Sequence, residues 1–388
     1  MRCVSIALAV GFLLAFVFGG TATAADPEPI RIGATVSLEG PYQEPSLMIQ
    51  EAFLLWQQEI NAEGGLLGRK VELILYNDKS RTDLVRDLYR RLIEEDQVHG
   101  VFSPYGTPLT LAASAVTEKH DMLMLACAAS GSRIWERGFR YVFGMYALAE
   151  RYFIGLLDLM ARSGRNSLAL VFDETSAFHR DAAAGVRKWA ETFRIDLGFE
   201  QGYANGQAEL PAIAARLKSL KTRRLILSAY PPDCYRLLSL MEATGYRPRV
   251  IGMTIAPIHP NFFDKAGEIG DRVFGPSQWE PSERIPFPGT RQFVRSFQKF
   301  AGIMPSYHAG SAYAACELFA RAVRQTRSLD HEKIRHYIAA LDTVTVIGRF
   351  KVDPSGRQVG HNPIIIQWQQ GKKEIVWPSS MQTASPLW

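Results

Sequence analysis

From Ile30 onward, short apolar runs alternate with longer stretches in which apolar residues return every three or four positions. Ile30 to Thr35 has the unbroken character of a buried strand, and Ile49, Ala52, Phe53, Trp56 and Ile60 then share one face of a helix. Val71 to Tyr76 predicts the next strand and Asp83 to Glu94 the next helix. Val98 to Phe102, a helix near Leu111 to Lys119, and Met122 to Ala126 extend the series. A second round follows Phe143. It predicts a helix over Glu150 to Arg162, a strand over Ser167 to Phe172, and helices over His179 to Phe193 and Leu210 to Leu220. Strand Arg224 to Leu227, helix Tyr235 to Thr244 and strand Val250 to Gly252 complete it. Strands separated by helices pair through crossovers, so the pattern predicts parallel sheets with helices on both faces.

The last third changes character. Pro276 to Pro288 mixes proline, polar and aromatic residues and reads as a crossing strand or linker. Amphipathic helices return at Arg291 to Ala301, Ala309 to Gln325 and His331 to Leu341. Gly348 to Trp377 reads as short strands with turns at Asp353-Pro354-Ser355-Gly356 and Gln370-Gly371. At 388 residues the chain is long for a single core, and two α/β rounds fit two lobes with a cleft between them. Ligands of open α/β sheets settle beyond the carboxyl ends of the strands. Here those ends are the loops around Gly40, Tyr105, Cys127, Asp173, Tyr230 and Thr254.

Residues 1–25 read as a signal peptide. Met1-Arg2 gives a positive start, Val4 to Phe18 is almost wholly apolar, and Ala22-Thr23-Ala24 offers small residues for cleavage. The apolar run is too short for a good membrane span, so the mature chain is expected to be exported to the periplasm. The formal net charge is +5, with basic residues scattered rather than clustered, which argues against nucleic acid as a partner. Cys3 belongs to the leader. Cys127, Cys234 and Cys316 are spaced too widely for a zinc pattern and allow at most one disulfide. Buried free thiols are the expected state.

Two strand-end loops suit a carboxylate. Tyr105-Gly106-Thr107-Pro108-Leu109-Thr110 runs straight into a helix, and Ala126-Cys127-Ala128-Ala129-Ser130-Gly131-Ser132 follows a strand. Free N–H groups at a helix start, together with hydroxyls, make an anion site. The same hydroxyls would otherwise serve as helix caps. Catalytic signatures are missing: there is no GxSxG elbow and no phosphate loop. His331 and His336 stand five apart, off a common helical face, so they do not form a zinc pair.

Glu59-Ile60-Asn61-Ala62-Glu63-Gly64-Gly65-Leu66-Leu67-Gly68-Arg69-Lys70-Val71-Glu72-Leu73 is a helix end, a glycine-rich reversal and a strand start. The stretch resembles the first βαβ unit of the branched-chain amino-acid (Leu/Ile/Val) type of periplasmic solute-binding proteins of ABC importers. The resemblance covers nearly all of the chain after the leader and keeps its spacing from Ile30 to about Trp279. It implies the type I periplasmic binding fold: α/β, with two doubly wound parallel-sheet lobes joined by a three-segment hinge. Lobe 1 would comprise residues 26–147 and 278–361, and lobe 2 residues 148–277 and 362–388. It also implies a ligand carboxylate held at Gly106, Thr107 and Ser130, beside Tyr105. The Ala128 carbonyl would accept from a ligand ammonium, and the rings of Tyr230 and Phe178 would pack on the ligand.

One departure bears on ligand class. Amino-acid binders of this kind usually carry an acid at the position matched by Thr254, and a buried ammonium without a counter-charge costs on the order of several kcal/mol. Either another acid substitutes (Glu44, Asp173, Glu174 or Asp233) or the ligand has no amine, and the second is favoured. Tyr42, Tyr146, Trp279, Tyr307 and His308 are further candidates for the pocket wall, and flat rings suit an aromatic or bulky organic acid. The expected function is therefore a monomeric, non-enzymatic receptor, without metal or cofactor, delivering such an acid to the permease subunits of an ABC importer. The alternatives are an amino-acid or amide binder on the same scaffold, or a sensory ligand-binding protein.

Overall fold

The computed structural model describes residues 27–285 and 287–388. The predicted leader, residues 1–25, lies outside the described residues. Strand β1 (Ile30–Val36) leads through helix α1 (Gln43–Ala62) to β2 (Val71–Asn77), then α2 (Thr82–Glu94), β3 (Val101–Phe102), α3 (Thr107–Lys119), β4 (Met124–Ala126) and β5 (Val142–Gly144). These strands form one parallel sheet in the order β2-β1-β3-β4-β5.

The chain then builds α4 (Ile154–Arg162), β6 (Ser167–Asp173), α5 (Ala177–Thr192), β7 (Asp196–Tyr203), α6 (Leu210–Ser219) and β8 (Arg224–Ser228). It continues through α7 (Pro231–Ala243), β9 (Val250–Met253), α8 (Phe262–Ala266) and β10 (Val273–Ser277). Helices α9 (Thr290–Ala301), α10 (Tyr307–Thr326) and α11 (His331–Ala339) follow, with α10 lying along α1. A hairpin of β11 (Asp342–Thr345) and β12 (Gly348–Lys351) precedes β13 (Ile364–Gln369) and β14 (Lys372–Trp377). The second sheet runs β14-β13-β10-β9-β8-β6-β7. It is parallel from β7 to β10, and the late β13–β14 hairpin adds to β10 antiparallel. The expected Gln370-Gly371 turn returns β14 antiparallel to β13, while the pairing of β13 with β10, also antiparallel, joins distant segments.

Four strands escaped the sequence pattern: β5, β7, β10 and β11. β5 and β10 are short buried runs beside the crossings between lobes, and β10 contains Pro276, paired opposite Ile365. β7 is an edge strand with alternating exposure, so it carries little apolar signal. The glycine-rich reversal behaves as its residues predict. Gly64 and Gly65 adopt φ +96° and +80°, and a Cβ on Gly65 would lie 1.9 Å from the Arg69 carbonyl oxygen.

Both sheets switch direction next to their first strand, β1 against β3 and β6 against β8. Loops leaving the carboxyl ends at these switch points diverge and leave a crevice. The two crevices face each other. The crossing segments are tied together behind them by one side chain: Gln278 Oε1 accepts from the Ala147 N–H at 3.0 Å and lies 3.0 Å from His361 Nε2, while its Nε2 donates to the Ala147 carbonyl at 3.3 Å.

Candidate functional site

The α3 helix begins at Thr107, so its first N–H groups have no acceptor within the helix. Gly106, just before it, sits at φ +85°, where a side chain would be strained. The two candidate loops are stitched to each other. The Gly106 N–H donates to the Ala128 carbonyl at 2.9 Å, and the Gly131 N–H donates to Thr107 Oγ1 at 3.0 Å. Contact is so close that a Cβ on Gly131 would stand 2.3 Å from Thr107 Cγ2. Because Thr107 Oγ1 accepts from Gly131, its own proton is free to point elsewhere, and the residue is fully buried.

Above this cradle lies a very small cavity, about 10 Å³, lined by Tyr105, Gly106, Thr107, Ala128, Ser130, Tyr146, Tyr152, Phe178, Tyr230, Ile255 and Tyr307. Seven of the eight residues singled out for ligand contact meet there, as do Tyr146 and Tyr307 from the suggested wall. Tyr42 closes the mouth from outside, edge-on to Tyr230 at 4.6 Å between ring centroids and 5.9 Å from Tyr105. The lobes are thus closed over the cavity.

Three expectations need correction. Thr254 faces away from the cavity: its Oγ1 donates to the Ala229 carbonyl at 2.8 Å and accepts from the Ala229 N–H at 3.0 Å, locking the β8 and β9 ends together. The next residue, Ile255, supplies the wall instead. Trp279 is buried behind the hinge and lines a separate cavity with His361, Ile364 and Trp377. His308 lies behind the wall, stacked on Tyr307 at 4.0 Å and edge-on to Tyr105 at 5.3 Å. The Ala128 carbonyl accepts from the Gly106 N–H and keeps a second lone pair, which leaves the expected acceptor role open to it. Tyr152 and Ile255 were missed. Tyr152 sits just after a crossing and reads as helix packing, and Ile255 is one position from the matched residue.

None of the acids weighed as replacements lines the cavity. Asp173 accepts from Thr175 N and Oγ1, and Asp233 accepts from the Tyr203 hydroxyl at 2.7 Å. Glu174 stands on the exposed loop after β6. Glu44 stands in a wider, largely open groove of about 540 Å³ along the rim, where it pairs with Lys265 and accepts from the Tyr235 hydroxyl. The cleft is electrically neutral at ordinary pH. Burial raises the phenols of Tyr105, Tyr146, Tyr230 and Tyr307 well above their usual value. It pushes His179 down to about 3 and His308 well below its ordinary range. Among the described residues, no group of three or more His, Cys, Asp or Glu could hold a metal ion.

Two hydroxyls of the lining, on Tyr146 and Tyr230, are buried without a hydrogen-bond partner. The Tyr230 oxygen lies 3.4 Å from where a Gly106 Cβ would stand, so the second lobe brings a hydroxyl up to the first lobe's cradle. Buried polar groups are otherwise almost always paired, and this arrangement is chemically prepared for a polar guest rather than for turnover. Cys127, Cys234 and Cys316 are free and buried.

The family model for periplasmic binding proteins matches residues 29–373. The chain is 24% identical to Leu/Ile/Val-binding protein homolog 7 of Brucella suis biovar 1 (strain 1330), an alignment covering 97% of this chain and 96% of that one. In structure it is similar to the branched-chain amino acid transporter substrate binding protein LivJ of Streptococcus pneumoniae in complex with isoleucine. The TM-score is 0.81 and the identity 19%, over 90% of this chain and all of the other. It is also similar to an ABC-transporter solute binding protein from R. palustris in complex with benzoate (TM-score 0.78, 16% identity, 92% and 98% covered). The chain belongs to the periplasmic binding protein family, the non-enzymatic solute-binding receptors of ABC transporters.

Proposed function

We propose that this receptor captures a small organic acid with one carboxylate, an aromatic or bulky apolar body and no amine, and delivers it to the permease of an ABC importer. The observation that carries the reading is the composition of the closed cavity: neutral N–H and O–H donors at one end, rings around the body, and no ionised side chain facing it. A carboxylate is held there by the first N–H groups of α3 and by the Thr107, Ser130 and Tyr230 hydroxyls, as helix starts hold anions elsewhere. An amino acid's ammonium would find no counter-charge, since neither Thr254 nor Ile255 supplies one. The closed cavity, about 10 Å³, has room for about one water, so a ring-bearing guest enters only as the lobes part to admit it. The benzoate complex of a structural neighbour supports this class, while the isoleucine complex of another marks its competitor.

In this reading the leader directs a monomeric mature chain to the periplasm. The lobes divide at Ala147/Leu148, Ser277/Gln278 and His361/Asn362 and close by hinge bending. A thermal-shift and calorimetric screen of the purified mature protein tests it, with benzoates and short branched acids set against leucine, isoleucine and valine. Stabilisation by acids alone is expected. Stabilisation by the amino acids and by none of the acids overturns the reading.

A further inference from the structure

The amino ends of the second sheet lie opposite the strand ends that form the cleft, and they gather basic residues that are scattered along the sequence. Arg224 opens β8 in register with Val250, which opens β9, so Arg223 and Arg249 sit side by side just outside the two strands. The Arg249 N–H donates to the Arg223 carbonyl at 2.7 Å. Arg165, between α4 and β6, joins them with its guanidinium 4.1 Å over the Trp388 ring. Beside these side chains a pocket of about 270 Å³ is lined by Ser167, Phe199, Lys221, Thr222, Arg223 and Arg224 among others. Arg224 is fixed there: its Nε donates to the Ser167 carbonyl at 2.6 Å and its Nη2 to the Ser167 hydroxyl at 2.8 Å. Arg162 on α4 and Arg187 on α5 pair with Asp158 and Glu200, but among the described residues none of the four gathered arginines, nor Lys221, forms an ion pair. Asp196, which opens β7, pairs with none of them either. Burial, and then the charges of Arg165, Arg223 and Arg249, hold the Arg224 guanidinium below its ordinary pKa.

We infer that this pocket is a second binding site, at the other end of the sheet from the cleft, for a phosphate group borne by a small solute or by an anionic lipid head. Guanidinium forks and phosphate oxygens match bidentately. A phosphate offers more acceptor oxygens than the two of a carboxylate, so it can take Lys221, Arg223 and Arg224 together while the Ser167 and Thr222 hydroxyls donate to it. Cations gathered without acids repel one another, and an anion seated among them turns that repulsion into attraction. The pocket belongs to the second sheet and its connections alone, so its occupation neither needs nor follows lobe closure. The inference therefore stands or falls apart from the organic-acid reading of the cleft.

The test is calorimetric titration of inorganic pyrophosphate, at low ionic strength, into the wild type, Lys221→Gln, Arg223→Gln and Arg295→Gln. Arg295 stands on α9, outside the second sheet, and its variant controls for net charge. All three side chains are exposed, and equal melting temperatures establish that the variants fold. In parallel, co-sedimentation is measured with vesicles of phosphatidylglycerol and with vesicles of phosphatidylcholine. Wild-type protein is expected to bind pyrophosphate at a single site, with Kd rising about tenfold or more in Arg223→Gln and about fivefold in Lys221→Gln. Arg295→Gln should stay within about twofold of wild type. Binding to phosphatidylglycerol vesicles alone, lost in the same two variants, also supports the site and makes its source the lipid head. Affinity that Arg223→Gln leaves unchanged, or that Arg295→Gln lowers equally, reflects net charge only and overturns the inference. Binding to neither pyrophosphate nor phosphatidylglycerol beyond that to phosphatidylcholine overturns it too.

Discussion

Replacing Thr107 with valine separates the two tasks its hydroxyl performs. As acceptor, Oγ1 holds the Gly131 N–H at 3.0 Å, and its own proton remains available to a guest in the cavity it lines. Valine keeps the shape, including the Cγ2 packed against Gly131, but removes both functions. The donor lost is a hydrogen bond to an ionised group, worth about 1.5–3 kcal/mol, which is roughly a tenfold to hundredfold rise in Kd. The acceptor lost leaves a buried N–H unpaired, at about 1–3 kcal/mol of folding stability. Thr107→Ser retains the oxygen and loses one methyl, so affinity should stay within a few-fold and stability fall by about 1 kcal/mol. Calorimetric titration with whichever acid the screen identifies, beside urea unfolding, reads both quantities. The reasoning is refuted if Thr107→Val loses stability but binds the acid within about twofold of wild type, because the hydroxyl would then serve only Gly131.

Other outcomes follow from the same geometry. Glu44→Gln removes the charge that pairs with half-exposed Lys265 across the rim, so the closed form should weaken by no more than about 1 kcal/mol, a few-fold in Kd. High salt should reproduce that loss in the wild type, and a salt-independent Kd would count against a role for the Glu44–Lys265 pair in closure. Because the cleft's own groups are shifted out of the range, binding should be flat from about pH 6 to 9. It should weaken only as the ligand's carboxyl protonates, near pH 4; a midpoint near pH 6.5 would implicate a histidine. Stability behaves differently. His179, His259 and His308 are held neutral by burial, with His259 pushed to about 4. Below their unfolded value of about 6.5 the unfolded chain binds more protons, so the melting temperature of the unliganded protein should fall as pH drops from 6.5 towards 4. Iodoacetamide should leave Cys127, Cys234 and Cys316 untouched in the folded protein and label all three in denaturant. Their thiols are buried, with Cys127 raised to about 12, and rapid native labelling would show the core opens.

Much of this site was legible before folding because strand-end loops are local objects. Gly106-Thr107 at a helix start, Ser130 after a strand and the aromatic pair Phe178 and Tyr230 all sit where the α/β alternation ends a strand. What failed was finer than the periodicity can resolve. Along a strand end, successive side chains point to opposite sides, so a shift of one residue exchanges Thr254, turned onto Ala229, for Ile255, turned into the cavity. Trp279 and His308 are as aromatic and as close to the crossings as Tyr307. Only the packing of the lobes decides which ring forms the wall and which lies behind it.

By itself, the order of apolar and polar residues determined the two α/β rounds, the glycine reversal after α1 and the loops from which a ligand could be held. Those features depend on contacts near in sequence and on backbone freedom at particular residues. Tertiary structure decided the antiparallel edge on the second sheet, the Gln278 tie among three distant segments, and the neutrality of the cleft. Each depends on distant groups meeting in space, as in the Gln278 tie, where the partners stand 83 and 131 positions away, and no local pattern encodes such a meeting. Desolvation follows from that meeting: a tyrosine or histidine has its ordinary chemistry in the unfolded chain and becomes a fixed neutral partner only when both lobes exclude water from it.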